Sequence, residues 1–369
     1  MSLIRRVARG PANVAVVAVL LALGWSVPGV AAADTGSGQA RPAFAEVDLV
    51  SDVPGAAALT DPHVVNAWGL AFGPATPLWV ANNGTDTATL YAGGINGTVP
   101  TIVPLVVSVP GAPTGQAFNG GSGFVVTGSA GSGPARFLFV TESGDLLGWS
   151  PSADPTHAIV AAHVRGAIYK GLTMAATPFG SFLLAADFAH GRIDVFDSTF
   201  KRIRLPAPFF TDRRLPRGYA PFNVAFLDGR TYVTYAKQTP GSGDETAGPG
   251  LGFVDVYGRF GLLQQRIASR GALNAPWGLA IAPPSFGRFA GHLLVGNFGD
   301  GRVSVYDRSG RGFDGQLRDV HRRPLAIDGL WALLPGTAAT GGTDAVWFSA
   351  GPDDESHGLV GQIRPAVTS

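Results

Sequence analysis

The chain contains no cysteine, which removes disulfides, thiolate metal sites, cysteine nucleophiles and a lipid-modified N-terminal cysteine from consideration. Charge is also scarce: 14% of residues are Asp, Glu, Lys or Arg, with 27 basic against 26 acidic side chains. Three of the basic ones, Arg5, Arg6 and Arg9, lie at the extreme N-terminus. The remainder is close to neutral and has no basic run, so the phosphate-neutralising footprint of a nucleic-acid-binding protein is absent. There is no G-x-S-x-G elbow, H-E-x-x-H pair, phosphate loop or EF-hand run, which leaves the common hydrolase, zinc-protease and nucleotide signatures unrepresented. The only long apolar run, Val14 to Leu23, is short of the roughly 20 residues that span a bilayer.

That run follows the three arginines and precedes Ala31-Ala32-Ala33, the order of basic, apolar and small residues found in a cleaved export signal. Residues 1–33 are therefore expected to be removed, and the protein to be secreted or extracytoplasmic with no membrane span left. Residues 34–43 read as a short flexible segment, 44–363 as the folded domain and 364–369 as a tail.

What the chain has in abundance is glycine and proline, 52 and 28 residues respectively, as expected of many short strands and tight turns. It also repeats itself at a period of about 50 residues, which marks a propeller or solenoid. Asn66-Ala67-Trp68-Gly69-Leu70-Ala71 and Asn274-Ala275-Pro276-Trp277-Gly278-Leu279-Ala280 are near-duplicates, and Asp328-Gly329-Leu330-Trp331-Ala332-Leu333 is a looser copy. Weaker starts fall at Phe124-Val125-Val126, Lys170-Gly171-Leu172 and Phe222-Asn223-Val224. Each start is followed by a second apolar run, such as Leu78 to Asn82, Phe182 to Asp187 and Leu293 to Asn297, and then by alternating strands such as Arg192 to Asp197 and Arg302 to Asp307.

Four strands in each of six units, with no helical periodicity between them, predict an all-β, six-bladed β-propeller. The sixth unit ends near Ile363 without an outer strand, while Phe44 to Val50 is an orphan strand. The ring is expected to close by pairing the two, which removes a free sheet edge. Trp68 and Trp277 should then occupy equivalent buried positions.

In a four-stranded meander the start of the innermost strand and the end of the second strand lie on one face. Asn66, Asn82, Asn83, Glu142, Lys170, Asp187, Asn223, Lys237, Asn274, Asn297, Asp300, Asp328 and Asp353 are therefore expected to surround one mouth of the channel. Carboxylates and amides in a ring suit a divalent cation that takes oxygen ligands, Ca²⁺ in the first place. Glu142, Asp187 and Asn297 are the expected ligands, each read as closing a second strand; Asn and Asp are also ordinary turn residues. Asn82, Asn223, Lys237, Asp300 and Asp353 are expected to contact a ligand. Two loops enrich the same mouth: Lys237 to Gly252 with Asp244-Glu245, and Gly351 to Gly358 with Asp353-Asp354-Glu355. No catalytic residue stands out.

The motifs Leu49-Val50-Ser51-Asp52, Asn66-Ala67-Trp68-Gly69-Leu70, Tyr219-Ala220-Pro221-Phe222-Asn223, Asn274 to Leu279, Gly296 to Gly301 and Gly351-Pro352-Asp353 resemble a group of secreted bacterial propeller proteins without an assigned activity. More remotely the repeat looks like NHL-type propellers, which mostly bind other molecules, and gluconolactonase-type propellers, which hold a divalent cation at this mouth. The resemblance implies a binding scaffold for a small molecule, peptide or cell-envelope component. The alternative it implies is a divalent-metal-dependent lactonase or esterase.

Overall fold

The computed structural model describes residues 42–310 and 312–366. The export signal expected in residues 1–33, most of the adjoining segment and the last three residues of the tail lie outside them. Among the described residues no helix is long and apolar enough to cross a membrane.

Six antiparallel sheets follow one another along the chain as the blades of a propeller. From the axis outward, the first blade is built of Ala67–Ala71, Leu78–Asn82, Thr87–Ala92 and Thr101–Ser108, and the third of Tyr169–Thr177, Gly180–Asp187, Arg192–Phe196 and Arg202–Ile203. The fourth runs from the inner strand Tyr219–Leu227 to Leu263–Ser269, and the fifth from Pro276–Ile281 to Phe313–Gln316. The middle strands are buried on both faces, as in Leu78–Asn82 and Val346–Ala350. That is why they read as continuous apolar runs rather than as alternating ones.

The ring closes through the N-terminal strand. Phe44–Ser51 lies antiparallel to Leu359–Pro365, outside Val346–Ala350 and the inner strand Leu330–Pro335, so the first described strand completes the last blade as expected. Leu59–Thr60 adds a short parallel strand beyond it. Phe44 is buried against Phe286 and Phe289 of the fifth blade, at ring separations of 4.8 and 6.3 Å.

One blade departs from the sequence reading. The inner strand of the second blade is Pro113–Phe118, not the run beginning at Phe124; Val125–Gly128 instead pairs with Gly131–Pro134 in a separate hairpin. Val and Thr favour a strand wherever they occur, and here they form a local hairpin with Val125 half exposed. The true inner strand, Pro-Thr-Gly-Gln-Ala-Phe, has neither an apolar run nor an alternating one.

The inner strands share an irregularity that organises the mouth. In every blade the pairing with the second strand slips close to the first inner residue, between Ala67 and Leu70, Tyr169 and Gly171, Pro221 and Asn223, Pro276 and Gly278, and Leu330 and Leu333, and opposite Phe139 and Thr141 in the second blade. A β-bulge of this kind re-aims the extra residue. The residues so displaced are Trp68, Thr114, Lys170, Phe222, Trp277 and Trp331. Four of them are followed by glycine, and the reason is close approach: a Cβ on Gly69 would collide with the Thr114 carbonyl, on Gly115 with Leu172 of the next inner strand, on Gly171 with Asn223 and on Gly278 with the Trp331 carbonyl. The recurring Trp-Gly of the sequence is thus a bulge followed by a strand-to-strand contact at the axis.

Candidate functional site

Five of the six bulge residues, Trp68, Lys170, Phe222, Trp277 and Trp331, meet across the axis and plug the channel beneath the mouth. Trp68 stacks on Trp331 at 3.7 Å, Trp277 meets both edge-on, and Phe222 and Phe298 pack against Trp331. The equivalence expected for Trp68 and Trp277 is observed, with both buried. The indole N–H of Trp277 donates to the Lys170 carbonyl at 2.9 Å, and that of Trp331 to Asn66 Oδ1 at 2.9 Å.

Lys170 is the one charged member of this ring. Its side chain is 3% exposed, and its ammonium lies 5.1 Å from the centre of the Trp68 ring. A buried ammonium is tolerated only where it is paired. Lys170 Nζ donates to Glu142 Oε1 at 2.5 Å and lies 3.6 Å from Asp244 Oδ1. Glu142 Oε2 accepts from Asn83 Nδ2 at 3.1 Å, Asn83 Oδ1 accepts from Asn66 Nδ2 at 3.2 Å, and Asn66 Nδ2 also donates to Glu355 Oε2 at 2.6 Å. A single network therefore joins Trp331, Asn66, Asn83, Glu355, Glu142 and Lys170.

The two acidic loops supply its upper half by different local means. Glu245–Thr246 pairs as a short strand with Lys237 and Gln238, which folds the loop back over the mouth. In the other loop, Asp353, Asp354 and Glu355 take φ values of 53°, 51° and 65° in succession. The left-handed region costs a side chain such as Glu about 1–3 kcal/mol unless its surroundings hold it there. The 2.6 Å bond to Asn66 holds Glu355.

The expected cation ligands are not gathered in this way. Asp187 ends its strand opposite Tyr169, and Asn297 ends its own opposite Pro276, whereas the matching residue of the second blade is Thr141, opposite Pro113. Glu142 is one residue further on, in the turn beyond the strand end. Asp187 binds the His190 ring at 2.7 Å and Arg192 at 3.1 Å within its own turn. Asn297 donates to the Ala272 carbonyl and to Asp300, and accepts from the Asn274 N–H. These are turn-locking bonds. The three side chains share no partner, and among the described residues no group of three or more His, Asp or Glu is arranged to hold a metal ion. Of the mouth carboxylates, Glu142 and Asp244 lie 2.5 and 3.6 Å from the Lys170 ammonium.

The residues expected to contact a ligand are dispersed as well. Asn82 donates to Thr87 and Thr89 within its blade, and Asn223 bridges to the Trp277 carbonyl below the plug. Asp300 caps the turn after Asn297, while Lys237 and Asp353 are exposed at the rim. What sequence reading did not single out are Lys170 and Asn66 as the centre of the site and Glu355 as its third wall. The available signal was a lone lysine where three other units carry tryptophan.

Four carboxylates thus surround one ammonium, and two of them, Glu245 and Glu355, hold their protons more tightly than usual. Burial pushes the Glu245 carboxyl up to about 7; Lys170 opposes this, while Glu355 and Asp244 add to it. Burial likewise raises Glu355, against the Asn66 hydrogen bond and Lys170. Lys170 is held above its ordinary value: burial disfavours the ammonium, but Glu142 and Glu245 more than offset it. At the outer strand, burial and the neighbouring Asp48 push Glu46 up to about 7.

A carboxyl whose value is higher in the folded state binds its proton more tightly there, so stability falls as pH rises from the unfolded value to the folded one. For Glu245 and Glu46 that window runs from 4.5 to about 7. The melting temperature is therefore expected to be higher at pH 5 than at pH 7.5, and Glu245→Gln combined with Glu46→Gln to flatten the difference. Thermal melts across this range decide it; a melting temperature that rises with pH through the window contradicts it.

Fold and site define a six-bladed propeller with an acid-lined, tryptophan-plugged mouth. No protein-family model matches the chain. It belongs to one family with two proteins of Acanthamoeba polyphaga mimivirus, the uncharacterized proteins R648 and L690. It is 34% identical to the first over 327 residues, covering 85% of this chain and 78% of the other. It is 34% identical to the second over 331 residues, covering 85% and 84%. These relatives are viral, where the sequence motifs pointed to bacterial proteins. Among solved structures, a Bacteroides thetaiotaomicron protein of unknown function superposes with a TM-score of 0.50 at 11% identity, covering 87% of this chain and 72% of the other. The calcium-binding protein regucalcin from Agrobacterium tumefaciens does so at 0.48 and 13%, covering 82% and 92%. At such identities the likeness is one of fold.

Proposed function

We propose that the mouth binds a cationic, amine-bearing ligand, either a small molecule or a lysine-like side chain of a peptide, and that the protein is a binding scaffold. The observation that carries this reading is the imbalance of four carboxylates, Glu142, Asp244, Glu245 and Glu355, around a single fixed ammonium. Lys170 satisfies Glu142 from below, and its surroundings keep it protonated, which makes it a poor nucleophile. Asp244 faces solvent with 71% of its side chain exposed. An arriving ammonium replaces the proton that Glu245 retains near neutrality. The strained loop that delivers Glu355 fits a site whose geometry is fixed by binding. If residues 1–33 act as an export signal, the ligand is met outside the cytoplasm.

Calorimetry with a linear diamine, a lysine-ended peptide and a neutral sugar tests this. Binding is expected for the two amines only, to weaken with salt and below pH 6, and to fall at least tenfold in Glu142→Gln and Asp244→Asn. Equal binding of the sugar, or no effect of either substitution, overturns it. The metal-dependent hydrolase remains the competing proposal, and it requires a cation to displace the Lys170 ammonium. A melting temperature raised by Ca²⁺, Mg²⁺, Mn²⁺ or Zn²⁺ over chelator, and lost in Glu142→Gln, favours it over the amine.

A further inference from the structure

The plug divides the channel, and the half beyond it is a separate space of different chemistry. On the side away from the mouth the six inner strands enclose a well of about 280 Å³. Every blade contributes to its wall: Leu70 and Phe72, Ala117 and Phe118, Leu172 and Met174, Phe226, Leu279, and Leu333 and Leu334. Trp277 of the plug forms part of its lining. No charged residue lines it. The deep leucines Leu70, Leu172, Leu279 and Leu333 are each less than a tenth exposed, while Phe72, Phe118, Met174 and Leu334 are half-buried.

Three polar side chains interrupt this apolar wall. Asn223 is satisfied by the Trp277 carbonyl and the Val224 N–H. Thr173 Oγ1 accepts from the Phe226 N–H, which leaves its hydroxyl proton to donate. Gln116 Nε2 is held between the Gly69 and Trp79 carbonyls at 2.5 and 2.7 Å, an arrangement that fixes which end of the amide is oxygen. Its Oε1 is buried and has no partner. A buried acceptor left unpaired is rare in a folded protein and calls for an explanation.

We propose that this well is a second binding site, independent of the mouth, for a small uncharged and mainly apolar molecule with one or two hydrogen-bonding groups. Small-molecule sites are concave, mostly apolar and carry a few fixed polar groups. The well has that composition, and its volume matches a ligand of two or three fused or linked rings. Absence of charge in the wall excludes the amine class assigned to the mouth, so the two sites select opposite chemistries on either side of one tryptophan layer. Thr173 offers a donor, and the unpaired Gln116 Oε1 an acceptor at the wall.

The probe is N-phenyl-1-naphthylamine, neutral and fluorescent only in apolar surroundings. Titration of the protein is expected to give a saturable fluorescence rise with one molecule per chain. Met174→Trp and Leu334→Trp, which fill the well from the third and sixth blades, are expected to weaken binding at least tenfold in variants that melt as the parent does. Phe179 and Phe260 form an exposed aromatic pair 5.9 Å apart beside another apolar cleft, so Phe179→Ser with Phe260→Ser is the control and is expected to leave binding intact. Loss of binding in that control and not in the filled wells overturns the proposal by moving the probe to the surface, as does the absence of a saturable rise. Should both filling variants fail to fold, crystals of the unaltered protein under xenon decide the matter, because dry apolar cavities take up xenon. Xenon density between Leu172 and Leu333 supports the site; a well without it marks a water-filled channel and ends the proposal.

Discussion

A chain beginning at Asp52 is expected not to reach the native monomer. Phe44–Ser51 is the fourth strand of the sixth blade, and its removal leaves Leu359–Pro365 as an unpaired edge over its length. Phe44, Leu49 and Val50 are each at most 1% exposed, and burying a side chain of this size contributes about 1.5–3 kcal/mol. Losing all three costs on the order of 5–9 kcal/mol, which approaches the whole stability of a typical domain, about 5–15 kcal/mol. The exposed edge also carries Val360 and Ile363, both otherwise buried, and an apolar unpaired edge is a template for aggregation. Phe44→Ala is the milder probe, because it keeps the strand and removes only the contact with Phe286 and Phe289; about 3–5 kcal/mol is expected. Size-exclusion chromatography with light scattering and thermal melting check both forms. A shortened chain that is monomeric with an unchanged melting temperature refutes closure by this strand.

The blades were legible because each is written locally. Leu78–Asn82, the Leu183–Asp187 part of Gly180–Asp187, and Leu293–Asn297 are stretches of second strands buried on both sides, and their runs of Leu, Val and Ala recur at one spacing. The closing strand was legible by subtraction, since the last unit lacked an outer strand and the N-terminus offered one. The second blade shows the limit: Pro113–Phe118 is an inner strand by position, held by neighbours on both sides, and its Pro, Gly and Ala weaken the strand preference of Thr114 and Phe118. At the mouth the outcome was mixed for a related reason. Strand order correctly brought Glu142, Lys170, Asn66 and Asn83 to one face, but it did not say which side chains point inward. A one-residue offset separates Glu142 from Asp187 and Asn297, and it sets Glu142 toward Lys170 while the other two lock turns. The bulge that turns Lys170 into the axis arises from packing between inner strands, and the approach of Asp244 and Glu355 depends on loops from different blades. Convergence of that kind is a property of the closed ring and is not written in any one segment.

Replacing Lys170 with Met is expected to cost about 3–5 kcal/mol near neutral pH, the range for breaking a buried ion pair by removing one partner. The shape changes little, since both side chains are unbranched, so the loss is electrostatic. Glu142 is then left without its 2.5 Å donor, and Glu355 repels it without a compensating charge. The sign with pH follows from the carboxyls that remain. Glu245 already holds its proton up to about 7 with Lys170 opposing it, and loss of that ammonium raises it further. Protonation neutralises the cluster, so the variant is expected to recover much of the lost stability at pH 5 and to lose more as pH passes 7. The double variant Lys170→Met with Glu142→Gln removes both partners and is expected to be more stable at pH 7.5 than Lys170→Met alone, a coupling that a double-mutant cycle reads directly. Urea unfolding of the four proteins at pH 5 and 7.5 supplies the numbers. A single variant that loses less than about 1 kcal/mol at pH 7.5, the scale of an exposed pair, shows that Lys170 does not hold the carboxylates together.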